Sequence, residues 1–168
     1  VAEVHIIAIS DSQARVQALL SGQIDMLRVI DYKQKPIFEG NSKFKHHVIP
    51  TGNWRGMVMR TDVEPFTDAR VRKAVRMAVD RQALADLVTG GAAEITCDHP
   101  VMKTDQYRAD LNCPQDIAGA KKLLADAGFP NGIELTVYPS SLEPTWTPIA
   151  EVVQQQVAAA GIKVNIQV

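Results

Sequence analysis

Residues 64–91 read EPFTDARVRKAVRMAVDRQALADLVTGG, and the fold follows from how this stretch is parsed. Pro65 holds Glu64 out of the helical region, so an extended segment ends there. Asp68 is a good N-cap, because its carboxylate can take the free N–H groups of a first helical turn. Val71, Ala74, Val75, Ala78 and Val79 then recur at helical spacing and make a narrow apolar face. Arg72, Lys73 and Arg76 fall opposite, so that face reads as a solvated basic one. Asp80 caps a second helix with Ala83, Leu84, Leu87 and Val88 inward, and Gly90-Gly91 stops it. The spacing predicts two capped helices joined at Asp80.

Upstream, Glu3 to Ile9 alternates and is rich in β-branched residues, which predicts a strand. Asp11 caps a helix through Leu20 that Gly22 ends. Ile24 to Val29 reads as a second strand, giving a strand–helix–strand unit with parallel strands. A short helix weakened by Pro36 spans Asp31 to Glu39. Phe44 to Ile49 is a strand, Pro50-Thr51-Gly52-Asn53 a turn cluster, and Trp54 to Thr61 a buried central strand. Downstream, Glu94 to Pro114 shows no periodic segment and reads as an ordered surface loop. Asp116 caps a helix through Ala127. Ile133 to Tyr138 is a strand, Pro139 to Pro148 a loop holding Trp146, Ile149 to Ala160 a helix, and Ile162 to Val168 the last strand. The fold class is α/β.

Apolar residues are 46% of the 168, enough for a core, and the net charge of −1 gives nothing to attract nucleic acid or an anionic membrane. No apolar run approaches the ~20 residues of a membrane-spanning helix. The chain begins at the edge of one apolar strand and stops inside another, which suggests an excised piece of a larger protein. Cys97 and Cys113 are the two cysteines. In an oxidising compartment they would close a loop; in the cytosol they would be two unrelated thiols. The disulfide is the preferred reading. Cys97-x-His99 with Asp98 matches no zinc template, and there is no phosphate loop, Gly-x-Ser-x-Gly or His-Glu-x-x-His. The expectation is therefore no enzyme, no cofactor and no metal.

The order Pro65-Phe66-x-Asp68-x-Arg70-Val71-Arg72-x-Ala74, then Ala78-Val79-Asp80-Arg81, resembles the family 5 extracytoplasmic solute-binding proteins of ABC transporters, the peptide- and nickel-binding type. Ala18-Leu19-Leu20-Ser21-Gly22-Gln23-Ile24-Asp25 is similar to a helix-to-strand corner of that family. So are the run from Ala120 to Gly132 with Ile133-Glu134-Leu135-Thr136 after it, and Ala160-Gly161-Ile162-Lys163-Val164. The matches keep the family's order across the whole chain.

The resemblance implies a periplasmic-binding-protein-like (type II) lobe with a mixed sheet and flanking helices. Residues 1–60 would be the end of the first large lobe plus a crossing strand, and 61–168 part of the second lobe. It implies capture of a small-molecule or peptide solute by hinge closure, and delivery to ABC permease membrane subunits from a periplasmic or lipid-anchored extracytoplasmic position, as a monomer. A ligand-sensing effector domain of a transcriptional regulator is the alternative. The implied ligand neighbours are Arg28, Val29, Asn53, Trp54 and Arg55. Arg60 joins them, standing with Met59 where the family shows Phe-Asn. Arg28, Arg55 or Arg60 can fork a carboxylate, and Trp54 can stack an apolar group. The alternative for each is a solvated arginine or a tryptophan packed under a loop. Trp146 follows a strand's carboxyl end, where ligands gather in open α/β sheets; a cap over the core is the other reading.

Overall fold

The computed structural model describes residues 2–49, 51–140 and 142–168. Val1, Pro50 of the turn cluster and Ser141 of the Pro139–Pro148 loop lie outside the described residues. The chain divides into two compact units, Val1–Val48 and Ile49–Val168.

In the first unit, helix α1 (Ser12–Leu20) starts where Asp11 accepts the Ala14 N–H at 2.7 Å. Val16 and Ala18 are its buried residues. A 3-10 turn (Tyr32–Gln34) and the single turn α2 (Lys35–Phe38) replace the longer helix expected from Asp31 to Glu39. The buried Gln34 amide oxygen accepts from the Asp31 N–H and the Ser12 hydroxyl, which ties this turn to α1. Phe38 packs edge-on against Phe44, with ring centres 5.3 Å apart.

Glu3 to Ile9, Ile24 to Val29, Phe44 to Ile49 and Trp54 to Thr61 form no strand among the described residues. Alternation of side chains specifies an extended backbone, but a strand exists only when a neighbour accepts its ladder hydrogen bonds. These segments have no such neighbour here, and apolar side chains such as Ile6, Val48 and Val58 stand exposed on them. The expected strand–helix–strand unit of residues 3–29 is therefore replaced by a helix between two unpaired segments.

From Asp68 onward the second unit follows its sequence pattern closely. Helices α3 (Ala69–Met77) and α4 (Arg81–Thr89) meet at Asp80. Asp68 accepts the Arg70 N–H at 2.7 Å, Asp80 accepts the Ala83 N–H at 3.0 Å, and Gly90 closes α4 in the left-handed region at φ 60°. Helix α5 (Ile117–Asp126) is capped by Asp116, which accepts the Gly119 N–H at 2.7 Å. Then come strand β1 (Ile133–Val137), helix α6 (Trp146–Ala158) and strand β2 (Ile162–Ile166). The two strands are parallel, in register from Ile133 opposite Ile162 to Val137 opposite Ile166. A parallel pair needs a crossover connection, and α6 supplies it.

One core joins these elements. Val71, Ala74, Val75 and Ala78 from the α3 side meet Ala120 and Leu124 of α5. Leu135, Ile162 and Val164 of the strands and Val153 and Val157 of α6 complete it. Burying each of the larger side chains contributes about 1.5–3 kcal/mol. The opposite sheet face is polar, with Glu134 taking hydrogen bonds from Lys163 and Asn165. Where the strands begin, the backbones nearly touch. Gly132 sits at φ 91°, and any Cβ there would run into the Gly161 carbonyl oxygen, which accepts the Ile133 N–H at 3.0 Å as the first rung of the ladder.

Candidate functional site

Arg55 and the segment before α6 are joined across 90 positions of sequence. The Arg55 Nε donates to the Thr145 hydroxyl at 2.8 Å, and its Nη2 pairs with a Glu143 carboxylate oxygen at 3.0 Å. The Thr145 hydroxyl in turn donates to the other Glu143 oxygen at 3.1 Å. Thr145 is 6% exposed, whereas the Arg55 and Glu143 side chains keep 35% and 27% of their surface. The cluster is thus anchored beneath and open above. Thr145 stands at the N-cap of α6, yet its side chain makes no cap hydrogen bond, because it faces this cluster instead.

Each end of the cluster continues into a half-exposed tryptophan. Trp54, next to Arg55, is 57% exposed, and its ring lies over Gly56, where a Cβ would collide with it. Glycine there gives the indole a flat backbone to rest on. Trp146, next to Thr145, is 39% exposed and is the first residue of α6 rather than part of a loop. The helix begins three residues earlier than its apolar period, read from Ile149, suggested. Pro148 is compatible with this, because proline is tolerated in a first turn.

The remaining candidates lie apart from this cluster. Asn53 is exposed in a turn in which its N–H donates to the Thr51 hydroxyl. Arg60 is exposed and paired with Asp62 at 2.6 Å; that hydrogen bond holds the Asp62 carboxyl below the usual carboxylate range. Arg28 and Val29 are exposed residues of the first unit. Glu143 and Thr145 were not foreseen. A Glu-Pro-Thr run carries no periodic or motif signal, and only the long-range pairing with Arg55 reveals it.

Two further features bear on the reading of the sequence. The α3 arginines are engaged by the protein itself. Arg70 grips Asp68 and the Asp126 carbonyl, Arg72 donates to the Phe66 and Thr67 carbonyls, and Arg76 holds Asp98. This face is a set of clamps on neighbouring loops and not a plain solvated surface. Cys97 and Cys113 are joined as a disulfide, with Cα atoms 5.5 Å apart. Beside it, Cys97 and Asp98 both take positive φ, at 52° and 68°. Asp98 receives Arg76 at 2.8 Å and Arg81 at 2.7 Å. Partial burial opposes its ionisation, but those two guanidiniums outweigh it and leave the carboxyl below the usual range. His99 accepts the Val101 N–H at Nδ1 and keeps a buried Nε2 without a hydrogen-bond partner. No three metal-ligating side chains gather among the described residues. A groove of about 530 Å³ runs along β2 from Gly161 to Asn165 and is lined by none of the candidate residues.

The family model for bacterial extracellular solute-binding proteins, family 5 Middle, matches residues 1–168. The glutathione-binding protein GsiB of Pectobacterium atrosepticum is 29% identical over 157 residues, covering 93% of this chain and 30% of the relative. The binding protein AgaA from A. tumefacien R10, solved with agropinic acid, superposes with a TM-score of 0.76 at 27% identity, over 95% of this chain and 33% of that one. The periplasmic binding protein DppA of Helicobacter pylori, solved with the peptide STSA, superposes at 0.72 with 24% identity, over 95% and 31%. The chain spans about a third of the length of these relatives, which are solute-binding proteins with an α/β periplasmic-binding-protein fold. With a match running from its first residue to its last, the chain belongs to the bacterial extracellular solute-binding proteins, family 5.

Proposed function

We propose that these residues form the middle part of a two-lobe protein that captures a small solute outside the cytoplasm and delivers it to the membrane subunits of an ABC importer. The family match over the whole chain carries this reading. The effector-domain alternative finds no support among the relatives named above. Residues 1–60 would close the first lobe and 61–168 would build part of the second, with ligand binding shifting an open–closed equilibrium. No helix among the described residues is long and apolar enough to cross a membrane.

A peptide-like solute is the best fit. An arginine fork partly open to solvent suits a carboxylate, and half-exposed tryptophans suit apolar or amide surface. Trp54, Arg55 and Trp146 would be the contacts from the second unit. Arg28, Val29, Asn53 and Arg60 remain proposed neighbours on their position in the chain. Titration calorimetry of the full-length protein against glutathione, di- to tetrapeptides and opines tests this. Heat and a raised melting temperature with at least one peptide are expected. Silence towards every peptide, with a response to an opine, would remove the peptide reading and leave the transport one.

A further inference from the structure

Arg55 already holds a carboxylate, and that carboxylate belongs to the protein. We propose that Glu143 is an internal competitor for Arg55 and thereby sets which charges a solute must carry. The inference rests on Arg55 facing the solute, as proposed above. Glu143 takes the Nη2 side of the guanidinium at 3.0 Å, and Thr145, itself 6% exposed, takes Nε at 2.8 Å. Together they fill the Nε–Nη2 edge of the guanidinium and leave the Nη1–Nη2 edge, beside Glu143, for a bidentate contact with a solute carboxylate.

A solute bearing only an anion brings its charge to Arg55 beside the Glu143 carboxylate, an unfavourable like-charge contact. A solute that also carries an ammonium group supplies Glu143 with a second cation and offsets that repulsion. Glu143 is consequently a specificity-determining residue. It penalises bare anions and favours molecules with both charges, which is selection by repulsion as much as by attraction. Thr145 is the positioning residue: it holds the Glu143 carboxylate at 3.1 Å and touches the solute only through its neighbours.

The test compares the full-length protein with its Glu143→Gln and Glu143→Ala variants. The probes are tri-alanine, N-acetyl-tri-alanine, tri-alanine amide and glutathione, measured by calorimetry. Unchanged far-ultraviolet circular dichroism and melting temperature show that each variant is folded. In the wild type, N-acetyl-tri-alanine binds more weakly than tri-alanine. In both variants it gains about tenfold, while tri-alanine amide, which keeps only the cation, loses affinity. A loop that merely lost order would weaken all probes together. Equal rank and equal affinities in wild type and variants would overturn the role of Glu143 while leaving the solute reading intact. If no probe binds any of the three proteins, the solute reading of this site falls and takes the inference with it.

Discussion

Asp98 shows how a single side chain stabilises an otherwise unfavourable backbone. Aspartate and asparagine both tolerate the left-handed region, so Asp98→Asn keeps the backbone preference at φ 68° and removes only the charge between Arg76 and Arg81. The expected cost near neutral pH is about 1 kcal/mol, after allowing for partial exposure. Because the folded carboxyl sits below its ordinary range, its contribution is fully present above the unfolded value of about 4. It is lost as pH falls through the folded value. Urea titrations of wild type and variant at pH 6.5 should therefore differ, and the gap should close towards pH 3 and below. A gap unchanged at pH 3 would show that the ion pairs contribute nothing.

Among the elements, α5 depends on one residue at its start. Asp116 accepts the Gly119 N–H, while its own N–H donates to the Met77 carbonyl at 2.8 Å, joining the start of α5 to the end of α3. Asp116→Ala removes the cap and leaves the backbone bond, for a loss of about 1 kcal/mol in thermal or chemical unfolding. The aspartate caps of the α-helices at Asp11, Asp68, Asp80 and Asp116 were legible in the sequence because a cap is local chemistry: one short acceptor ahead of an apolar period. The strands were legible only in part. Ile133–Val137 and Ile162–Ile166 formed because α6 returns the chain beside itself, and that helix has its own period. Glu3–Ile9 and Trp54–Thr61 have equally good alternation, but pairing is a property of two segments, and their own residues cannot supply the second. The Arg55–Glu143–Thr145 cluster was legible only at Arg55, since nothing in a Glu-Pro-Thr run announces a partner 90 positions away.

At the scale of the whole molecule, the irregular stretch between α4 and α5 is held by covalent and ionic ties in place of a regular backbone ladder. The Cys97–Cys113 bridge joins positions 16 apart in sequence, and Arg81 reaches both Asp98 and the Cys113 carbonyl. Replacing both cysteines by serine should cost about 3 kcal/mol on the chain-entropy account. The loss should appear as a lower denaturant midpoint and as faster proteolysis within residues 94–114. If the midpoint holds and proteolysis is unchanged, the arginine clamps alone order the loop.

The junction of α3 and α4 has an equally specific source of order. The Asp80 N–H donates to the Gln156 side-chain oxygen at 3.1 Å, and the Gln156 amide nitrogen donates back to the Asp80 carbonyl at 3.1 Å. The glutamine thus pairs with one residue of backbone as a neighbouring strand would. In hydrogen-exchange terms, residue 80 is a reporter placed between two helices. Its amide should exchange slowly although it belongs to neither helix, and at the rate at which α6 undocks. In Gln156→Ala, with α6 otherwise intact, that one amide should exchange fast, while the amides of Val153 and Val157 keep their protection.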